Sequence, residues 1–187
     1  MGQEASSASV TELDLVGRAR HGDLDAFTAL AGARLAAMTR TATAILGDET
    51  EAHDAVQEAL ISVWRELPAL REPERFDAWA GRILVNACRH ALKRRIRSRV
   101  REIVLQPEAA DGPLVGARAD SLGDEDALNR AFERLDGEQR SLLVLHHLED
   151  RPLTEIAALL GIPAGTAKSR LFTARRALQR ALEREWR

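Results

Sequence analysis

Tyrosine is absent from the 187 residues, cysteine occurs once, and aromatic side chains make up only 4% of the chain. Each scarcity excludes something. With Cys88 alone no internal disulfide can form, which separates the chain from secreted disulfide scaffolds and makes a reducing cytoplasm the simplest setting. No alternating Val/Ile/Thr run supplies β-strands, while Ala, Leu, Arg and Glu dominate, so an all-α fold is expected. No apolar run approaches the roughly 20 residues a membrane helix needs, and direct membrane insertion is not expected. The opening MGQEASSASV lacks the basic start and apolar core of a secretory signal, and residues 1–10 read as a disordered tail.

The parts of an active site are missing too. There is no Gly-rich phosphate loop, nucleophile elbow or metal-ligand cluster. His21, His53 and His90 are scattered, and the adjacent His146 and His147 are expected to point to different faces. No catalytic role, metal or cofactor is therefore expected.

What is present is charge, unevenly placed. The formal net charge of -2 hides a stretch from Arg82 to Arg101 that holds many basic residues and no acidic one. Upstream of it, Phe76, Trp79, Ala80, Ile83, Leu84 and Ala87 trace the buried side of a long helix. Beyond Ala87, Arg89, Lys93, Arg94, Arg95, Arg97, Arg99 and Arg101 wrap most of the circumference, which a core-facing helix cannot tolerate. Such an end either stands in water or lies on a polyanion, and the stretch alone leaves both open.

Three shorter patterns precede it. Thr11 caps a helix with Leu13, Val16 and Ala19 inward, and His21-Gly22 interrupts it. Asp23 caps a second, in which Ala26, Phe27, Leu30, Ala33, Ala37 and Met38 face the core until Gly47-Asp48. From about Thr50 a third carries Ala52, Ala55, Val56, Ala59, Leu60, Val63 and Leu67 inward, leaving Asp54, Gln57, Glu58 and Arg65 at or beyond the edge of the stripe. Pro68 stops it.

From Glu102 to Gly123 the periodicity fades into Pro, Gly and acids, and residues 102–123 read as a flexible linker. Some twenty residues at roughly 3.3 Å each would extend about 65 Å. Beyond it, Asp124 opens a helix with Leu128, Ala131, Phe132 and Leu135 on one face. Asp136 and Gln139 form a capping-box pair ahead of Leu142, Leu143 and Leu145.

The segment Pro152 to Arg176 reads as a helix-turn-helix. Ile156, Ala157 and Leu160 face one side, Gly161 suits a left-handed cap, and Ile162 turns back into the core. In the second helix Ala167, Leu171, Ala174 and Leu178 set the buried face, which leaves Lys168, Ser169, Phe172, Arg175 and Arg176 outward. Ala164, Gly165 and Ala167 keep the first turn slim enough for a major groove. The alternative is a helical hairpin with a solvated Arg/Lys face.

Taken in order, DAVQEALISVWREL (Asp54 to Leu67), FDAWAGRILVNACRHALKRR (Phe76 to Arg95) and the block Phe132 to Leu178 resemble the bacterial sigma factors of extracytoplasmic-function type. Ala80-Gly81 stands where that family often carries a bulkier pair. The resemblance implies two small helical domains: residues 11–101 for polymerase binding and the minus-ten element, and the four-helix module 124–187 for the minus-thirty-five element. It places contacts with the polymerase clamp at Asp54, Gln57 and Glu58, and implies the beta-prime clamp and beta flap of the core as partners. Minus-ten DNA, single-stranded after base flipping, falls to Arg71, Arg75, Arg82, Asn86, Arg89, Lys93 and Arg94. Minus-thirty-five duplex falls to Thr166, Lys168, Ser169, Arg170, Phe172, Arg175 and Arg176. An anti-sigma factor is a further expected partner, and a stress or signal regulon the expected target. The competing reading is a two-domain regulator that binds duplex DNA without polymerase, which gives no reason for a segment as basic as Phe76 to Arg101.

Overall fold

Residues 11–105 and 124–186 are described by the computed structural model; the expected tail, and the linker from residue 106 onward, lie outside the described residues. The described part is helical, with no strand. Four helices form the first half: α1 Glu12–Arg20, α2 Leu24–Leu46, α3 Glu49–Glu66 and α4 Phe76–Leu105. Four form the second: α5 Asp124–Glu133, α6 Gly137–His147, α7 Leu153–Leu160 and α8 Ala164–Glu185. Helix α4 runs through Glu102 to Leu105, four residues into the stretch expected to be linker, because those residues are themselves adequate helix formers.

The boundaries follow from side-chain caps. Thr11 and Asp14 form a reciprocal capping box, Asp14 N–H donating to Thr11 Oγ1 at 3.2 Å and Thr11 N–H to Asp14 Oδ2 at 3.1 Å. Asp23 accepts from the Ala26 N–H at 3.0 Å, and Asp48 from the Glu51 N–H at 2.8 Å, so α3 begins at Glu49. Asp136 and Gln139 repeat the box at α6, at 2.8 and 3.2 Å. Each such cap stabilises its helix by about 1 kcal/mol. Gly47 and Gly161 end α2 and α7 in the left-handed region, at φ of 69° and 65°.

The apolar faces make two clusters. The smaller ties α1 to the rest of the first half through Val16, Ala19, Leu30, Val63, Leu67 and Phe76. The larger begins with Ile45, Leu46, Val56 and Cys88 and continues without a break into Leu142, Leu145, Ile156, Leu159 and Leu171. The two halves therefore share a core. Leu13 and Leu128, expected inward, are 49% and 45% exposed, and Ala33 is exposed as well. Each lies at the margin of its stripe, where a one-position rotation of the helix moves it into solvent. Cys88 is buried as expected, and that burial pushes its thiol up to about 12.

Helices α6 and α7 lie across α2 and α4. Gly137 opens α6 so close to Leu92 that an added Cβ would stand 2.3 Å from Leu92 Cδ1. Arg140, only 5% exposed, reaches from α6 to donate to the Leu46 carbonyl at 3.3 Å, and Arg95 donates to the same oxygen at 3.3 Å. That oxygen belongs to the last turn of α2, where unpaired carbonyls and the negative end of the helix dipole favour cations. Thr41 Oγ1 donates to Glu149 Oε1 at 2.6 Å, a second polar tie between the halves. Gly81 faces α7, where a Cβ would stand 3.8 Å from Leu159 Cδ2. A side chain larger than alanine at position 81 would meet α7 there.

Candidate nucleic-acid and polymerase interfaces

Three outward faces carry the residues singled out from the sequence. On α3, Ala52, Ala55, Val56, Ala59 and Val63 take the inward side, which turns Asp54 and Gln57 fully outward. Glu58 is half-buried at the edge of that face. Its Oε2 accepts from Arg94 Nη1 of α4 at 3.2 Å, so it is already partnered within the chain.

On α4 the buried set is Phe76, Ala80, Leu84, Val85, Ala87, Cys88, Ala91 and Leu92. Arg82, Asn86, Arg89 and Lys93 then follow one another at spacings of four, three and four along the opposite side, as one stripe. Arg82, Asn86 and Lys93 are exposed and Arg89 is half-buried. A stripe of cations around one amide can track a phosphate backbone while the amide offers a donor and an acceptor to a base edge. Trp79, on the neighbouring side, is half-buried with its ring centroid 6.1 Å from that of Phe76.

The segment before α4 contains two 3₁₀ turns, Leu67–Ala69 and Pro73–Arg75. Leu67 and Leu70 anchor it in the smaller core cluster. Arg71 and Arg75 are exposed on it, and Arg75 Nε is 2.7 Å from Glu72 Oε2. Arg94 is exposed but leans toward Glu58, away from the stripe. Arg95, counted with the basic end of the helix, instead turns inward to Leu46 and lies 3.3 Å from Glu51 Oε2.

The third face is on α8. Ala167, Leu171, Ala174 and Ala181 are buried, and Lys168, Ser169, Arg170, Phe172, Arg175 and Arg176 are exposed. Thr166 is half-buried, and its carbonyl accepts from Ser169 Oγ at 3.0 Å. Pro152 and Pro163 sit at the capping positions of α7 and α8, one residue before the first helical turn. The turn closes when Ile162 N–H donates to the Ala157 carbonyl at 2.9 Å around Gly161.

Several of these cations have partners within the chain. Arg170 pairs with Glu138 of α6. Arg176 places its guanidinium 5.9 Å from the centre of the Phe172 ring. Arg175 Nε donates to His147 Nε2 at 3.3 Å. His147 stands with its ring centroid 4.7 Å from that of His146, so the two histidines lie together and do not diverge as expected. Partial burial, then His146 and Arg175, hold His147 below its ordinary range. Among the described residues no group of His, Cys, Asp and Glu could hold a metal ion, and no helix is long and apolar enough to cross a membrane.

The residues that fasten the halves together, Thr41, Gly137, Arg140 and Glu149, were not legible as a group. Arg140 alone carries a signal, being a charge one residue before the SLLVL run that the helix buries.

Comparison with known proteins places these faces in context. Residues 30–98 match the Sigma-70 region 2 family model, and residues 125–178 match Sigma-70, region 4. The chain is 27% identical over 176 residues to the ECF RNA polymerase sigma factor SigW of Bacillus subtilis, covering 87% of this chain and 92% of that one. It is 28% identical over 186 residues to the ECF RNA polymerase sigma-E factor of Escherichia coli, covering 95% and 97%. In structure it resembles the sigma factor RpoE, solved in complex with the anti-sigma factor NepR from Bartonella quintana, with a TM-score of 0.63 and 25% identity over 86% of this chain and 98% of that chain.

Proposed function

The chain belongs to the sigma-70 family as an RNA polymerase sigma factor of extracytoplasmic-function type, and from that premise we propose how its surfaces divide the work of initiation. Asp54, Gln57 and Glu58 on α3 dock the first half on the beta-prime clamp of core polymerase, where exposed carboxylate and amide groups meet Arg or Lys of the partner. Arg82, Asn86, Arg89, Lys93 and Arg94 of α4, with Arg71 and Arg75 ahead of them, receive the opened minus-ten strand. Thr166, Lys168, Ser169, Arg170, Phe172, Arg175 and Arg176 of α8 enter the major groove at the minus-thirty-five element, and the second half rests on the beta flap.

The observation that carries this reading is the α4 stripe. Four polar or cationic residues share one side of a helix whose other side is core, and that side is outward on the same chain as the open face of α8. The chain contributes binding and placement, with no catalytic step of its own. It acts where polymerase is, in the cytoplasm, on a stress or signal regulon. An anti-sigma protein is the expected partner that holds it inactive.

The test is reconstitution with core polymerase, followed by selection and sequencing of the promoter DNA bound by the holoenzyme. Enrichment of paired elements with a constant spacer is the expected result. A chain that retains duplex DNA through α8 yet never associates with polymerase would be a stand-alone regulator.

A further inference from the structure

We propose that His147, at the end of α6, belongs to the duplex-binding face of α8 and meets the DNA backbone as a cation, so that binding at the minus-thirty-five element takes up a proton. This rests on the reading of α8 as the helix that enters the groove.

Lys168, Phe172 and Arg175 follow one another at spacings of four and three, as one exposed stripe along α8. The last turn of α6 stands at the edge of that stripe, where Arg175 Nε donates to His147 Nε2 at 3.3 Å. His147 is itself exposed, as is Leu148 after it. A phosphate that reaches Arg175 is therefore within a side chain's length of the imidazole. The hydrogen bond also fixes the state of the ring. Because Nε2 accepts, the imidazole in the free chain is neutral, with its proton on Nδ1. The bond uses only Nε of Arg175, so the two Nη groups remain to grip a phosphate.

The charges around the ring set the direction of the effect. His146 beside it, with ring centroids 4.7 Å apart, and Arg175 from α8 both oppose a further positive charge, while Asp150 of the turn to α7 favours one. Partial burial adds to the opposition, and the balance holds His147 below its ordinary range. A phosphate on Arg175 reverses that balance: it offsets the repulsion of the guanidinium and gives the protonated ring an acceptor of opposite charge. The ring thus binds its proton more tightly on DNA than free, and proton and duplex strengthen each other's binding. The gain in affinity is complete below the free-state pKa of His147 and is lost as pH rises through its higher bound-state value. Lys168, Arg170, Arg175 and Arg176 stay charged throughout, and His146 and His147 are the only histidines beyond residue 90.

A labelled duplex carrying the minus-thirty-five element recovered by holoenzyme selection, titrated with the full chain by anisotropy at pH 8 and pH 5.5, tests this. Circular dichroism at both pH values verifies that the helices persist. The native chain should bind more tightly at pH 5.5, by about three- to fivefold, the scale of one exposed ion pair. Its slope of log K against log salt should steepen by about one. Both changes should vanish in His147→Gln, which keeps an acceptor for Arg175 and cannot take the charge, and both should persist in His146→Gln. A native chain without the gain, an equal gain in His147→Gln, or loss of the gain in His146→Gln alone overturns the proposal.

A second measurement keeps His147 in place. An NMR titration of its imidazole C–H resonances should give a higher pKa in the duplex complex than in the free chain, and an equal or lower one sinks the idea. A chain that binds no duplex at any pH overturns the reading of α8 as a DNA face, and this inference with it. Duplex binding without proton uptake leaves that reading standing and removes His147 alone from the face.

Discussion

Arg94 of α4 donates to Glu58 of α3 at 3.2 Å, so a cation assigned to the minus-ten strand and a carboxylate assigned to polymerase neutralise each other in the free chain. The pair is half in water, with side chains 57% and 44% exposed, and such pairs contribute about 0–1 kcal/mol. That is too little to hold the fold and enough to bias a surface. On the proposed assignments, a polymerase cation that took Glu58 would release Arg94 toward a phosphate. Glu58→Gln should therefore weaken polymerase binding and strengthen binding of a single-stranded minus-ten oligonucleotide by the free chain, by up to about fivefold. A double-mutant cycle with Arg94→Gln measures the coupling, and strictly additive effects would show that the two residues act separately.

Asp54 and Gln57 differ from Glu58 in making no side-chain hydrogen bond among the described residues, and both stand exposed on α3. Replacing both with Ala should weaken polymerase binding while leaving minus-thirty-five duplex affinity and the unfolding midpoint unchanged. A parallel loss of duplex affinity in a binding titration would refute the assignment of separate faces.

The outward placement of Asp54 and Gln57 was legible in the sequence. Their exposure follows from the positions of Ala52, Ala55, Val56 and Ala59, a purely local periodicity. The caps at Thr11, Asp23 and Asp136, and the left-handed Gly161, are local signals in the same sense, so helix order and the helix-turn-helix were legible. What was not legible is contact between distant segments. Arg94 meeting Glu58, Arg95 turning to Leu46, and Gly137 seating on Leu92 each join residues more than thirty positions apart. Leu128 fails for a lesser reason: α5 is only ten residues long, and its inner face is narrow enough that Ala127 and Ala131 fill it.

On α8 the salt dependence of duplex binding separates phosphate contacts from mere solvated charge. Each phosphate neutralised releases counterions, so Arg176→Ala or Arg175→Ala should lower affinity and reduce the slope of log K against log salt by about one. A filter or anisotropy titration between low and moderate salt reads the slope. An unchanged slope removes the residue from the set of phosphate contacts.

His147 gives the second half a pH dependence whose sign follows from its surroundings. Partial burial, His146 and Arg175 disfavour its charged form in the fold, so the unfolded chain binds the proton more tightly. Stability from this site is fully present above the ordinary histidine range near 6.5 and is lost as pH falls through the lower folded value. The unfolding temperature of the chain should fall between pH 7.5 and pH 5.5, and the fall should shrink in His147→Gln, which keeps an acceptor for Arg175 without the titration. An identical fall in the variant would assign the effect to other groups.

Arg140 and Leu142 lie two residues apart on α6, both buried, and should respond unequally to substitution. Leu142 is fully enclosed at 1% exposure, so Leu142→Ala removes apolar contact and leaves a void, at a cost of about 2–5 kcal/mol. Arg140 is a desolvated cation whose charged form is disfavoured by burial and by neighbouring Arg95, and its Nε has no hydrogen-bond partner. Among the described residues its one hydrogen bond to the first half is with the Leu46 carbonyl, which Arg95 also serves, so removing the guanidinium leaves that oxygen satisfied. Arg140→Met keeps much of the side-chain volume and ends the desolvation penalty, and its effect on stability should lie within about 1 kcal/mol of zero. Urea unfolding of the two single variants compares them directly. If Arg140→Met proves the more damaging, the attraction of Glu133, Asp136 and Glu51 for this cation outweighs its burial, and the joint between the halves is held by charge more than by apolar contact.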